Sequence, residues 1–122
     1  MKYTRIYSDS KGTSHFEDRD IGFAEVNFAP PAPSLYLSAF QKAEQFAFCR
    51  IPAGWFGDWH PTPHHQFFFF LSGELEAEVS DGELRRFGPG SVVHLEDTGG
   101  KGHVTRVIGN EDVLAAVVQL PD

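Results

Sequence analysis

Four consecutive phenylalanines, Phe67 to Phe70, constrain this chain more than any other feature. Successive side chains of a strand point to opposite faces, so such a run needs cover on both sides. Phe68 and Phe70 share parity with Gln66 and are expected to line an interior, while Phe67 and Phe69 face away. In a single copy the outer pair would be an exposed apolar patch, which argues for a homodimer.

The rest of the chain carries turn signals at roughly ten-residue spacing and no convincing helical period. Residues 3–8 and 13–17 read as two strands around Asp9-Ser10-Lys11-Gly12. The prolines of Phe28–Ser34 remove ladder donors, which makes that segment linker or sheet edge. Residues 35–39 add a little strand, and 41–44 a turn or one helical turn. Continuous β pattern follows from Gln45 to Ile51, then after a histidine-rich loop from Gln66 to Leu71. Glu74 to Val79 alternates, with Leu75, Ala77 and Val79 inward and three glutamates on a solvated face. Asp81-Gly82, Gly88-Pro89-Gly90, Thr98–Gly102 and Asn110–Asp112 separate four further strands at 83–87, 91–95, 103–108 and 113–120. So many edges need closure or a second sheet, and a sandwich or small closed barrel results.

At 122 residues the chain fits one domain spanning 1–122. Its net charge of −7 leaves no footprint for nucleic acid. No run of about 18 apolar residues exists to span a membrane, and Met1–Arg5 lead into no apolar signal core. The lone Cys49 excludes an internal disulfide and fits the reducing cytoplasm, where the protein is expected. Its place in a strand reads as buried rather than nucleophilic.

Chemistry concentrates in Gly54–Gln66, where Pro61 and Pro63 stiffen a stretch holding His60, His64 and His65. Neutral imidazole is the commonest metal ligand, and such sites draw groups from different strands. His60 and Gln66 are six residues apart and would share a face if extended. His103 follows a glycine-rich loop that permits close backbone approach.

These residues resemble the cupins, small β-barrels with two metal-binding motifs. The first motif, G-x5-H-x-H-x3-E-x6-G, is matched in spacing by Gly54, His60, Thr62, Gln66 and Gly73. Thr62 replaces the second histidine and Gln66 the glutamate. The second motif, G-x5-P-x-G-x2-H-x3-N, is followed loosely: Gly90 leads to Glu96 in place of proline, His103 comes two residues late, and no asparagine follows. The resemblance covers 45–120, with 1–44 as N-terminal strands and a Pro-rich connection. It implies an all-β double-stranded β-helix, or jelly-roll barrel, with little or no helix. It also implies a divalent ion (iron, manganese, nickel, zinc or copper) held by His60, Gln66 and His103. His64 is the added ligand favoured by parity over His65; the alternative leaves both on the rim.

Around that centre, Trp55 and Trp59 are candidates to wall the pocket with Phe68 and Phe70. His94 is read as a substrate contact or a satisfied strand histidine, and His15 as surface or interface. Glu96, with Asp97 beside it, is the candidate general base, against the reading of ordinary turn chemistry. Lys101 either draws an anionic substrate or is merely solvated. Three functions follow from the resemblance. One is a metal-dependent enzyme of dioxygenase, isomerase or cyclase type that chelates an oxygen-bearing substrate. Another is a non-catalytic module that senses or sequesters a small ligand. The third, a purely structural barrel, is disfavoured by the histidines gathered at one end.

Overall fold

The computed structural model describes all 122 residues and contains twelve β-strands and no helix. The N-terminal hairpin is β1 (Lys2–Ser8) and β2 (Ser14–Asp20), followed by the short β3 (Ala24–Val26) and β4 (Leu35–Leu37). Then come β5 (Gln45–Ile51), β6 (Phe56–His60), β7 (Gln66–Ser72), β8 (Glu74–Val79) and β9 (Leu84–Phe87). The last three are β10 (Val92–Leu95), β11 (His103–Ile108) and β12 (Val113–Gln119).

Two sheets make the body. One has six strands in the order β2-β1-β10-β7-β12-β5, the other four in the order β6-β11-β8-β9. They face each other as a sandwich and do not close into a barrel. Strands β3 and β4 pair only with one another, on either side of the Pro-rich segment. Their residues are exposed but for Leu37, because a two-stranded ribbon has no second layer to bury against. No helix is long and apolar enough to cross a membrane.

Register turns the alternation of each strand into rows across the six-stranded sheet. Phe68 is level with Val93 and Val117, and Val93 with Thr4. Phe67 is level with His94 and Val118, and His94 with Arg5. The first row faces the sandwich interior and the second faces outward. The core is formed by Ile6, Phe70, Val93, Val113 and Ala115 from the large sheet against Leu75, Ala77, Val79 and Phe87 from the small one. Phe70 and Phe87 stack across the gap with ring centroids 6.0 Å apart. Phe68 and Phe70 therefore sit inside as their parity requires, and Phe69 is 36% exposed on the other side.

The structure differs from the sequence reading between Gly54 and Gln66. Residues 56–60 are strand, pairing with β11, so the loop shrinks to Pro61–His65. Prolines at 61 and 63 end the ladder by lacking N–H donors.

His15 is half-buried and fastens the two sheets at their turns. Its Nδ1 lies 2.8 Å from Asp81 and its Nε2 2.7 Å from Asp9. The Asp9 hydrogen bond raises the His15 imidazole above its ordinary 6.5, and the same bond lowers Asp9 below 3.8. The folded state therefore holds the His15 proton more tightly than the unfolded one. That contribution is complete below pH 6.5 and fades as pH rises through the raised value, while Asp9's is lost below pH 3.8. His15→Gln should lower the melting temperature most between pH 3.8 and 6.5, with the gap to wild type narrowing as pH rises above 6.5 through the raised value, by calorimetry.

Candidate metal and ligand site

Strands β6 and β11 run antiparallel, with His60 and His103 as direct partners. A register shift between His103 and Thr105 puts an extra residue into β6 just before His60, and such bulges re-aim side chains. The two imidazoles end 4.7 Å apart, tilted by 59°. Gly102 makes this approach possible. Its φ is +78°, and a Cβ there would lie 1.9 Å from the carbonyl oxygen of His60.

Each ring is anchored through Nδ1. The His60 Nδ1–H donates to the Asp58 carbonyl at 2.7 Å, and the His103 Nδ1–H donates to Asp97 Oδ2 at 2.5 Å. A carbonyl can only accept, so the tautomer of a neutral His60 is fixed with its Nε2 lone pair free; the Asp97 partner does the same for His103. Asp97 is completely buried, and its Oδ1 has no hydrogen-bond partner in the protein. Such a group costs stability, so its presence is better explained by what it does to His103 than by support of the fold.

Next to the histidines lies a line of amides. Gln66, 6% exposed, donates through Nε2 to Thr62 Oγ1 at 3.2 Å and accepts from Gln119 Nε2 at 3.1 Å. Gln119 in turn accepts from Gln45 at 2.5 Å. The Thr62 N–H donates to the Asp97 carbonyl at 3.0 Å, which ties the loop after β6 to the loop before β11.

These groups form the polar part of a cavity of about 250 Å³ between the sheets. His60, Thr62, Gln66 and His103 line it, and Phe68, Phe70 and Trp55 supply apolar wall. The Trp55 indole lies across Gly57, where a Cβ would stand 2.3 Å from the ring.

The sequence candidates divide accordingly. His60, Gln66, His103, Phe68 and Phe70 meet at this cavity; His64, Trp59, His94 and Glu96 do not line it. His64 sits in the Pro61–His65 loop, where strand parity no longer applies, and its Nε2 is 3.5 Å from Glu44. Trp59 is covered by the Lys101 ammonium, 4.2 Å above its ring. His94 points outward from β10, between inward Val93 and Leu95, and stacks on Phe67 at 4.2 Å. Burial pushes its imidazole down to about 4, against the pull of Glu96. Glu96 is on that same outer side, hydrogen-bonded to Arg5, so the cavity base expected there is absent. The buried carboxylate at the site is Asp97, one residue on and of opposite parity. Trp55, not Trp59, is the walling indole. Cys49 is half-buried on β5 and burial raises its thiol, which opposes a nucleophilic role.

A cupin-domain family model matches residues 47–119, more than half of the chain. The chain belongs to the cupin family. Among solved structures, it is 18% identical to the cupin domain of Cnp3 from Schizosaccharomyces pombe, with 99% of this chain and 83% of that one covered and a TM-score of 0.49. A protein from Neisseria meningitidis is 13% identical over 82% of this chain and 84% of that one, with a TM-score of 0.47. No curated protein matches the sequence.

Replacing Gly102 by alanine should cost about 3 kcal/mol or more, because the left-handed backbone and the His60 carbonyl both oppose a Cβ. Urea unfolding monitored by tryptophan fluorescence measures it. Gly82→Ala, at a turn with positive φ but open space around it, should cost distinctly less.

Proposed function

We propose that this cupin binds a small, largely apolar molecule with an oxygen-bearing head, seated through a divalent ion at His60 and His103. The observation that carries this reading is the pair of anchored imidazoles, both lining one apolar cavity. Metal-ligating histidines characteristically donate their other ring N–H to a carboxylate or carbonyl, and both rings do so. The residues therefore fit an ion. Gln66 Oε1 accepts one hydrogen bond and retains a second lone pair for it.

The bound ion would supply Lewis acidity toward a carboxylate, enediol or dicarbonyl oxygen. The chain's own groups do the rest. Asp97 holds the His103 ring in orientation, Phe68, Phe70 and Trp55 exclude water, and Thr62 fixes the Gln66 amide. Two imidazoles and an amide fall short of the family's usual three histidines and a carboxylate, and Glu96 lies on the wrong face for a base. Both facts favour a module that binds or senses its ligand. An enzyme of dioxygenase, isomerase or cyclase type is the second reading: with Nε2 unligated the Asp97–His103 pair has the geometry of an oriented general base, whereas with the ion there the same contact only orients a ligand.

We also assign a homodimer to the exposed outer face of the six-stranded sheet. Phe46 and Phe48 are 69% and 78% exposed on edge strand β5, and Phe48 is level with Ala116, itself level with the outward Phe69. Such a face is expected to be covered by a second copy. With a single cysteine and no spanning helix, a reducing cytoplasmic setting is in keeping with the chain.

His60→Ala and His103→Ala should abolish binding of nickel or manganese at the cavity, and Asp97→Asn should weaken it about 10–100-fold, by isothermal titration. Loss of the thermal shift given by phenyl or acyl carboxylates should follow in the same variants. Undiminished metal and carboxylate binding in His60→Ala/His103→Ala would end this reading. Oxygen uptake or isomerisation by the loaded protein over a panel of dicarbonyls decides between enzyme and module. Phe48→Ser should shift the protein from dimer to monomer in light scattering.

A further inference from the structure

The outer face of the six-stranded sheet holds another group of ligating side chains, none of which lines the cavity. Val93 and Leu95 point inward, so His94 and Glu96 point outward, and His65, from the loop before β7, meets His94 on that side. His65 Nε2 and His94 Nε2 stand 2.7 Å apart, and His65 Nε2 is 3.6 Å from Glu96 Oε1. One ligand atom from each of His65, His94 and Glu96 lies within 4.8 Å of the others.

We propose that His65, His94 and Glu96 form a second divalent-cation site, suited to zinc, on the face of the sheet opposite the cavity. Two imidazoles and one carboxylate are a donor set zinc accepts with a position left for water. Ligands each about 2.0–2.2 Å from a tetrahedral ion are roughly 3.3 Å from one another, and the separations of 2.7 and 3.6 Å bracket that value. The third pair, His94 and Glu96, also meets, with His94 Nδ1 3.5 Å from Glu96 Oε2. His94 is 7% exposed and is clamped between Phe67 at 4.2 Å and His65 at 4.6 Å.

Two facing Nε2 atoms can be bridged either by a proton or by an ion. One ring must donate and the other accept, so the pair is satisfied only with opposed tautomers. A cation between them lets both present lone pairs. Arg5 is the group that competes with it, since its guanidinium is bonded to Glu96 Oε2. That contact leaves Oε1 on the His65 side and holds the carboxylate in place, as an outer-shell partner does. Glu17, 3.6 Å from Arg5, offsets the guanidinium charge.

The test is zinc stoichiometry by mass spectrometry on chelator-stripped, reloaded protein, with affinity from competition against a chromogenic chelator. Because His94 is buried, the variants are His65→Ala and Glu96→Gln, with folding checked by melting temperature. His60→Ala/His103→Ala should still bind one zinc per chain, and adding His65→Ala should abolish it. In that same cavity-deficient protein, Glu96→Gln should weaken zinc at least 10-fold. If wild type binds one zinc and His65→Ala alone removes it, the outer site stands and the cavity does not hold zinc. If His60→Ala/His103→Ala binds none, or binds one that neither His65→Ala nor Glu96→Gln affects, the outer site is overturned.

Discussion

The arrangement depends on one close approach, the backbone of residue 102 against the carbonyl of His60. Only a residue without a side chain can lie there, and it must do so with positive φ. The consequence is that β11 begins flush against the end of β6, so that His103 and His60 become partners across the ladder. The same reversal brings the loop after β10 over the loop after β6, where the Asp97 carbonyl takes the Thr62 N–H. Asp97 then reaches His103 from behind. The site is thus built by backbone contacts between two loops, and its side chains follow from where those loops are pinned.

Much of this was legible from a period of two. The strong strands at 45–51, 66–72, 74–79 and 103–108 appear nearly where alternation and turn residues put them. The inward parity of Phe68 and Phe70 holds because both sit in one uninterrupted strand with Gln66. Parity failed where the strand did. Counting across Pro61 and Pro63 puts His64 with His60, but a count carries no facing information through a loop. The short run Val92–Leu95 gave a different difficulty. Its neighbours are apolar on both sides of His94, so the sequence does not announce which face is interior. Once Val93 and Leu95 are seen to be buried, His94 and Glu96 must be outside and Asp97 inside. A carboxylate next to a turn looks like turn chemistry in sequence; its burial depends on the fold of the loop, which no local pattern encodes.

The extended stretch before β7 looks like loop in sequence because prolines and histidines dominate its composition. Strand β6 forms there through tertiary pairing with β11, with Gly57 admitting the Trp55 ring. Local preference is weak in such segments, and cross-strand partners decide the outcome. Residues 21–44 illustrate the converse. They contain Phe23, Phe28, Tyr36 and Phe40, all exposed, because no second layer of this chain covers them. Apolar composition alone does not make a core.

The charges around the cavity bear on what it selects. The family's glutamate position is a neutral amide here, no carboxylate lines the cavity, and Asp97 is set behind His103. An ion at His60 and His103 would keep more of its positive charge than one with a direct carboxylate ligand, because the amide donates a dipole and not a charge. The wall opposite is phenylalanine and indole, so little else in the cavity neutralises it. A site so loaded would discriminate by charge: an anionic oxygen would be drawn to it more strongly than a neutral carbonyl of the same shape, since only the former offsets the remaining charge. With glutamine in the glutamate position, an ion proposed there would therefore prefer carboxylates and enolates. A cavity of this size leaves room for only a short acyl or single-ring body behind that anionic head.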